Sequence, residues 1–218
     1  MNDQGRLIVF EGPDGVGKTT IARAVARRLR KAGAGKGEVL ELAFPAGAEG
    51  SLGRVVYDLH HDHERFGLTR PMDRTSLQLL HIAAHIDTIE NWIRPHVDAG
   101  GWVVLDRFWW STWAYGMANE APVESLETMI HLERIHWRDL APDLLIVIDR
   151  DTPFRVESDA AYFNQLRVLY ERLEADEKRV PVRHYDNNRT FDDAVNWCMQ
   201  QIAALDAPDQ APMTEQNR

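Results

Sequence analysis

Short apolar runs along this chain alternate with segments in which apolar residues recur at helical spacing. A short apolar run bounded by glycine, proline or charged residues is typical of a buried strand in a parallel sheet. The pattern predicts five such strands, over residues 6–10, 39–44, 102–105, 144–148 and 180–185. Strands that alternate with helices indicate an α/β single domain with a five-stranded parallel sheet, helices on both faces and right-handed crossovers.

Two helical patterns lie between these strands. Over residues 19–30, Ile21, Val25 and Leu29 recur every four positions, while arginines occupy the opposite face. The longest pattern, over residues 76–97, predicts one continuous helix. Ligands of such folds bind at the carboxyl ends of the strands, so the residues that directly follow a strand are the first candidates for a site.

The composition narrows the class of protein. The 218 residues include 25 Lys or Arg and 34 Asp or Glu, and this formal charge of −9 makes nucleic acid an unfavoured partner without excluding it. No apolar run approaches the ~18 residues of a membrane span and the first residues lack a secretory signal, so we expect a cytoplasmic protein with no membrane partner. The single cysteine, Cys198, excludes an internal disulfide and a Cys-x-x-Cys zinc site. We expect one domain over residues 1–205 and a disordered tail over 206–218.

A glycine-rich loop follows the first predicted strand. Residues 12–19 match the phosphate-loop pattern G-x-x-x-x-G-K-[ST] between a strand and a helix. Glycines let successive N–H groups point at one phosphate, and the next helix adds its positive amino-terminal end. Lys18, one of only four lysines, is expected to reach the β- and γ-phosphates. The residues expected to bind the phosphates of ATP are Gly12, Asp14, Gly15, Val16, Gly17, Lys18, Thr19 and Thr20.

A second candidate element ends the third predicted strand. Residues 102–106 are apolar until the carboxylate of Asp106, the form expected of the second metal-binding element in phosphate-loop proteins. An aspartate at this place is also a common turn or helix cap. Arg107 follows directly, and its planar guanidinium suits either a second anionic group or a solvent-facing salt bridge.

These segments resemble the thymidylate kinases. Residues 10–20 match the family's phosphate loop, and Asp106-Arg107-Phe108 matches its Asp-Arg-Tyr/His motif. Further similar elements are Phe44-Pro45, Ile93-Arg94-Pro95, Ser111, Ala141-Pro142-Asp143 and Asp149. The resemblance runs from about residue 6 to residue 205.

The resemblance implies a homodimeric phosphate-loop kinase that uses ATP and Mg²⁺ to phosphorylate a small-molecule deoxynucleotide on its 5′-phosphate. Asp14 would hold the acceptor's 3′-hydroxyl, Arg107 its phosphate, and Asp106 the metal or its water. The implied catalytic residues are Lys18, Asp106, Arg107, Arg150 and Arg155, and the implied metal ligands are Thr19 and Asp106. The implied acceptor-binding residues are Asp14, Phe44, Pro45, His81, His85, Arg107, Ser111 and Tyr115.

Two histidines lie where the family has other residues. His81 replaces the phenylalanine that stacks on thymine, and His85 replaces an arginine that hydrogen-bonds the base. The two are four positions apart and therefore share one helix face. Because histidine stacks and also donates or accepts hydrogen bonds, a base other than thymine, or a modified pyrimidine, becomes an alternative. The other interpretation is that both are ordinary helix-face histidines.

Aromatic residues are concentrated beside the expected acceptor site. Trp109, Trp110 and Trp113 follow the Asp-Arg motif closely. Their rings suit stacking on a nucleobase, and they suit equally well the core or a dimer interface.

The arginines of the family are incomplete in this chain. The one expected near Phe44-Pro45 is missing, and Arg54 is its nearest replacement. The arginine-bearing lid after the fourth strand is short, with Ser158 or Asp159 expected to cap the next helix. Loss of a transition-state arginine costs ~10³–10⁵ in rate, so activity is expected to be slow or to use another cation. The lid candidates are Arg150, Arg155 and Arg167, for which surface charge is the alternative.

Other segments carry weaker signals. His60, His61 and His63 are interpreted as a solvated surface segment rather than a metal site. The loop at residues 186–190 lies where related kinases hold the donor adenine, and Thr190 is also expected to cap the last helix. Two further functions stay open: a kinase whose acceptor is a modified pyrimidine nucleotide within DNA, and a non-catalytic nucleotide-binding interaction protein.

Overall fold

The computed structural model describes residues 5–46, 49–154 and 159–206. Three predictions from the sequence lie outside these ranges: the role of Arg155, the alternative helix cap at Ser158, and the disorder of residues 207–218. The described residues form the predicted α/β architecture.

Five strands form one parallel sheet. Their bounds are β1 Arg6–Glu11, β2 Leu40–Ala43, β3 Trp102–Asp106, β4 Leu144–Asp149 and β5 Val182–Asp186. The strand order is β2-β3-β1-β4-β5, so the predicted five-stranded parallel sheet is confirmed. Phe10 in β1 pairs with Asp106 in β3 and with Ile146 in β4, so the carboxyl ends of the three central strands lie at one edge.

Helices connect the strands. Their bounds are α1 Lys18–Ala32, α2 Leu52–His61, α3 Arg74–Thr88, α4 Arg94–Asp98, α5 Trp109–Ala118, α6 Val123–Trp137, α7 Ala160–Asp176 and α8 Phe191–Ala203. Asp159 caps α7, and Thr190 caps α8 in a reciprocal capping box with Asp193, as the sequence predicted. None of the described helices is both long enough and apolar enough to cross a bilayer.

The central strand β1 divides the interior into two cores. Ile8 and Phe10 belong to the core formed with α1 and α8, while Leu7 and Val9 belong to the core formed with α5 and α7. This alternation follows from the two-residue period of a strand. All four side chains are fully buried, and each such burial stabilises the fold by ~1.5–3 kcal/mol. Because helices cover both faces, a ligand is expected at the carboxyl edge of the sheet.

The segment predicted as one continuous helix over residues 76–97 is interrupted. α3 ends at Thr88, Ile89–Ile93 forms a π-helical stretch, and α4 begins at Arg94. Pro95, in the first turn of α4, accounts for the interruption. Proline lacks the N–H that an α-helix bonds to the carbonyl four residues earlier, and its ring clashes with that carbonyl. The prediction of an unbroken α-helix was therefore wrong at this point.

Candidate active site

The phosphate loop joins β1 to α1 at the carboxyl edge of the sheet. Gly17 caps α1 with a left-handed backbone (φ 90°), which costs a residue with a side chain ~1–2 kcal/mol. At Gly12, a side chain would meet the carbonyl oxygen of Ile148 at 2.1 Å. The glycines thus allow a tight loop, and the first N–H groups of α1, which have no intrahelical partner, suit an anion. Val16, within the loop, is fully buried, whereas Thr20 is exposed in the first turn of α1.

Lys18, Thr19 and Asp106 converge where β3 ends beside the loop. Lys18 Nζ lies 3.8 Å from Asp106 Oδ1, and the Thr19 hydroxyl donates a hydrogen bond to Asp106 Oδ2 over 2.5 Å. Asp106 Oδ1 is buried and accepts no hydrogen bond from the described residues. A carboxylate and a hydroxyl are hard oxygen ligands of the kind that Mg²⁺ prefers, so these two residues fit that ion.

The charge on Lys18 is destabilised by its surroundings. Burial and the positive charge of Arg107 lower the pKa of Lys18, against the opposing effects of Asp106, Asp14 and Glu11. A phosphate placed beside the ammonium group would favour its charged form. The site is therefore electrostatically prepared for an anionic ligand.

Arg107 connects the phosphate loop to the start of α5. Its backbone has a positive φ of 79°, and its N–H donates to the carbonyl oxygen of Phe10 over 2.8 Å. Its guanidinium donates to Ser111 Oγ over 2.9 Å and to a carboxylate oxygen of Asp14, and it lies 5.2 Å from the centre of the Tyr115 ring. A non-glycine residue in the left-handed region costs about 1–3 kcal/mol, a cost often found at functional sites.

Asp14 and Arg107 form an ion pair beside the phosphate loop, and this pair determines the local charge there. Burial raises the pKa of Asp14, but the charges of Arg107 and Lys18 outweigh this effect and lower it. Burial raises the pKa of the Tyr115 phenol, which therefore stays protonated at neutral pH. Arg107 already pairs with the carboxylate of Asp14, so an anionic ligand would compete with Asp14 for the guanidinium.

Glu11 holds the turn that follows Arg107 in place through hydrogen bonds. The sequence alone assigned no role to Glu11. It is fully buried and accepts hydrogen bonds from the backbone N–H groups of Phe108 (2.6 Å) and Ser111 (3.0 Å). It also accepts from the hydroxyls of Ser111 (2.8 Å) and Tyr170 (3.0 Å). Burial raises the pKa of Glu11, and Arg107 and Ser111 partly oppose that rise. A carboxylate directly after the apolar run of residues 7–10 was the available signal.

The two histidines of α3 differ in their environments. His85 is buried, its ring stacks on Phe44 with centroids 3.9 Å apart, and its Nδ1 lies 2.9 Å from Glu133 Oε2. His81 is one turn earlier, close enough to Arg107 for that charge to act on it. Pro45, next to Phe44, is half-buried. The structure thus brings His85 against Phe44 and His81 within reach of the Arg107 charge, while Glu133 was missed because it is 48 positions from His85 in sequence.

The tryptophans of α5 mainly build the interior. Trp110 is fully buried in the core between α5 and α7. Trp109 and Trp113 are half-buried. The guanidinium of Arg134 lies over the ring of Trp109, and that of Arg172 lies over the ring of Trp113. The sequence allowed these tryptophans to stack on a base or to pack in the core or a dimer interface, and Trp110 packs in the core.

Arg150 lies on the other side of the phosphate loop. Its guanidinium donates to the carbonyl oxygen of Asn187 over 2.5 Å and lies 3.9 Å from the ring centre of Phe154. Asn187 in turn donates to the carbonyl oxygen of Val16 over 2.7 Å, and the Phe154 N–H donates to that of Gly15 over 2.8 Å. The start of the short lid is therefore fastened to the phosphate loop. Arg155, the next candidate, is outside the described residues.

Two other candidate arginines are engaged elsewhere. Arg54 pairs with Asp58 on its own helix, with 2.9 Å between nitrogen and oxygen. Arg167 clamps the carboxylate of Asp149 through three hydrogen bonds of 2.6–2.9 Å. Asp149 also belongs, with His184 and Asp186, to the one group of described residues close enough to share a metal ion. The Arg167 clamp supplies that carboxylate with a cation, so the group is a salt-bridge network linking β4, β5 and α7.

Comparisons with known proteins agree with this geometry. The family model for thymidylate kinase matches residues 10–161. The chain is 30% identical over 191 residues to the thymidylate kinase of Rhodopseudomonas palustris strain TIE-1, covering 80% of this chain and 78% of the relative. It is 34% identical over 169 residues to that of Rhizorhabdus wittichii, covering 75% and 74%.

A solved structure gives the same picture at the level of the fold. The crystal structure of thymidylate kinase from Ehrlichia chaffeensis superposes with a TM-score of 0.74 and 21% identity, covering 92% of this chain and 99% of that one. The segment matched by the family model contains the phosphate loop, Asp106 and Arg107. This chain therefore belongs to the thymidylate kinase family and is a nucleoside-monophosphate kinase, a phosphotransferase of a family whose phosphate donor is ATP.

Proposed function

We propose that this kinase transfers the γ-phosphoryl group of ATP to the 5′-phosphate of dTMP or of a related pyrimidine deoxynucleoside monophosphate. The observation that carries the proposal is the convergence of Lys18, Asp106 and Arg107 at one sheet edge, which offers cations to two phosphates side by side. That the relatives are thymidylate kinases supports dTMP as the acceptor. The exchanged positions His81 and His85 support the wider class of pyrimidines.

On the donor side, the phosphate loop and Lys18 would bind the β- and γ-phosphates. Thr19 and Asp106 would hold Mg²⁺, which when bound neutralises charge on the β- and γ-oxygens. Lys18, buried beside Asp106, would stabilise the charge that spreads over the transferred group. We assign Arg150 to this side because its guanidinium is fastened next to the loop.

On the acceptor side, Arg107 would exchange Asp14 for the acceptor phosphate, since a guanidinium fork binds phosphate oxygens in pairs. Asp14, once released, would accept a hydrogen bond from the 3′-hydroxyl. An oxygen of the acceptor phosphate attacks the γ-phosphorus in line, the bond from that phosphorus to the bridging oxygen breaks, and ADP leaves. The attacking oxygen is already anionic, so no general base is required.

The acceptor nucleoside would lie between β2, α3 and α5. Phe44 and Pro45 would border the base, His81 and His85 would contact it, and Tyr115 would pack against the sugar. Ser111 would act by holding the Arg107 guanidinium, 2.9 Å away. These roles follow from proximity to Arg107 and from the aromatic character of the lining.

We propose further that the kinase is a homodimer that joins through α2, α3 and α6. These helices expose large apolar side chains, which soluble monomers seldom present together. The exposed residues are Leu52 and Val55 on α2, Leu79 on α3, and Leu132 and Ile135 on α6. Light scattering should give twice the chain mass of 25.0 kDa, and Leu132→Glu should halve the measured mass.

The cytoplasmic location expected from the sequence stays a prediction.

The activity can be tested by ADP release from ATP-Mg²⁺ with separate nucleoside monophosphates. We expect turnover with dTMP or another pyrimidine deoxynucleotide, and a loss of at least about 100-fold in Lys18→Ala, because this change removes the one lysine that the described residues place beside the loop. Lys31→Ala, on the exposed end of α1, is the matched control and should keep full activity.

The remaining outcomes separate the alternatives. If no free monophosphate stimulates ADP release but single-stranded DNA that carries a modified pyrimidine does, the acceptor is a nucleotide within DNA and the proposal is wrong. ATP binding without any turnover would replace it by a non-catalytic nucleotide-binding role.

A further inference from the structure

A buried asparagine that the proposed mechanism does not use contacts the phosphate loop. Asn187 directly follows β5 and is only 4% exposed. Its side-chain Nδ2 donates a hydrogen bond to the carbonyl oxygen of Val16 over 2.7 Å. Because a carbonyl oxygen can only accept, the side chain must present its nitrogen to the loop, and an ionised carboxylate of the same shape could not replace it.

Asn187 is itself held in place by the sheet. Its backbone N–H donates to the carbonyl oxygen of Asp149, at the end of β4, over 2.8 Å. Its own carbonyl oxygen accepts a hydrogen bond from the guanidinium of Arg150 over 2.5 Å. The side-chain amide also packs against Gly17, where a Cβ would lie 2.9 Å from Nδ2. The sheet edge therefore fixes the Asn187 amide, and the amide in turn fixes the carbonyl of Val16.

The hydrogen bond to Val16 determines the direction of the next N–H group in the loop. The peptide bond between Val16 and Gly17 is trans. In a planar trans peptide, the C=O and the N–H that follows it point in opposite directions. Since the C=O of Val16 points toward Asn187, the N–H of Gly17 points away from Asn187.

The preceding peptide unit of the loop is held in the same way. The N–H of Phe154 donates to the carbonyl oxygen of Gly15 over 2.8 Å, so the N–H of Val16 points away from Phe154. Neither the Val16 N–H nor the Gly17 N–H donates a hydrogen bond within residues 5–46, 49–154 and 159–206. Successive backbone N–H groups that are left in this way form a concave site for an anion. Gly17 is half-buried, so a ligand can reach it.

We propose that Asn187 is a positioning residue for the phosphates of ATP: its amide holds the carbonyl of Val16, and this orients the N–H of Gly17 toward an oxygen of a donor phosphate. The inference rests on the donor side of the proposed function. The sequence placed residues 186–190 beside the donor adenine, but the Asn187 side chain faces the phosphate loop. Its effect is therefore on phosphate binding and not on binding of the base.

The test compares two ligands of the full chain, Mg²⁺-ATP and Mg²⁺-tripolyphosphate, by calorimetric titration. Tripolyphosphate has no base, so it reports phosphate binding alone. We expect Asn187→Ala to weaken both by the same factor, at least about fivefold, because a buried carbonyl loses its donor and the loop is no longer held. Asn196→Ala is the matched control, since this exposed amide contacts Arg28 at the far end of α1. It should change neither affinity.

A second variant and a second measurement guard against a simple loss of folding. Asn187→Asp keeps the shape but offers no donor when ionised, so it should weaken both ligands at least as much as Asn187→Ala. In the wild type, tripolyphosphate should shift the backbone N–H resonance of Gly17 to lower field in nitrogen-15 NMR. The resonance of Gly33, at the other end of α1, should stay in place. An unmoved Gly17 resonance would overturn the inference even if neither variant folds.

The remaining outcomes separate this inference from its rivals. A lower urea midpoint in Asn187→Ala with unchanged affinity for both ligands would mean that Asn187 acts only in folding, and the inference would be wrong. Weaker binding of ATP with unchanged binding of tripolyphosphate would assign Asn187 to the base and would also overturn it. If the wild type phosphorylates no pyrimidine monophosphate, the proposed function is wrong, whatever the two ligands show. If it phosphorylates dTMP while Asn187→Ala keeps both wild-type affinities, only the inference about Asn187 is wrong.

Discussion

Single residues at the site are held by partners far away in sequence. Lys18 and Thr19 could be assigned from the sequence because the phosphate-loop pattern is local and its chemistry follows from adjacent residues. Glu11 and Glu133 could not be assigned, since their roles depend on residues 97 and 48 positions away, Phe108 and His85. What a buried carboxylate does becomes evident only when its donors are known.

Glu11→Gln is a prediction at this scale. Glutamine accepts through one oxygen, which can keep the backbone N–H groups of Phe108 and Ser111, so the buried hydroxyls of Ser111 and Tyr170 would lose their acceptor and face an amide N–H instead. We expect a loss of ~1–3 kcal/mol in the free energy of unfolding, measured with urea, and a fall in acceptor kcat/KM as the Arg107 turn loosens. The control is Glu41→Gln on β2, which should change stability by less than ~0.5 kcal/mol. An unchanged unfolding midpoint in Glu11→Gln would contradict this account of the turn.

At the level of elements, hydrophobic periodicity predicted all five strands and the helix after the phosphate loop. It failed at residues 89–93, because a π-helical stretch keeps the apolar residues Ile89 and Ile93 inward while changing the hydrogen bonds. Periodicity reports which side chains face the core, and it is nearly blind to such a change in the backbone. Pro95 was the local signal that was given too little weight.

The tryptophan-rich helix α5 gives a prediction at the same scale. Trp110 is fully buried, so Trp110→Ala should cost about 3–5 kcal/mol of unfolding free energy, whereas Trp92→Ala, at 37% exposure, should cost much less. Urea unfolding of the two variants measures this difference. If Trp110→Ala instead kept its stability and raised the acceptor KM, the residue would be part of the base site rather than of the core.

For the whole molecule, the alternation of strands and helices predicted a doubly covered parallel sheet, and the structure has it. The strand order β2-β3-β1-β4-β5 could not be obtained from periodicity, because β1, β3 and β4 are buried on both faces and the pattern does not identify their neighbours. The salt-bridge network at the carboxyl ends of β4 and β5 likewise emerges only when the sheet is assembled.

That network predicts a pH dependence of stability. The hydrogen bond that His184 donates to Glu174 raises the pKa of His184 to about 9, with a further contribution from Asp186, whereas the unfolded value is near 6.5. A raised folded-state pKa means that the stabilisation is fully present below about pH 6.5 and is lost as pH rises through 9. His184→Gln should therefore be less stable than the wild type at pH 6 and equal to it at pH 10.5.

Glu174→Gln provides the control for this assignment. It removes the negative charge of the acceptor in the same hydrogen bond, so it should lower stability at pH 6 and add little when combined with His184→Gln. Additive effects of the two changes would mean that the partners act independently, contrary to the network described.

The central claim is that phosphate passes from ATP to the acceptor's own phosphate between Lys18 and Arg107. The most direct test follows labelled γ-phosphate from ATP in the presence of dTMP or dUMP and analyses the products. We predict that the label appears in the β-phosphate of the pyrimidine deoxynucleoside diphosphate, in a one-to-one ratio with ADP. Label found only as inorganic phosphate would contradict this account, because it would make water, rather than the nucleotide held by Arg107, the acceptor.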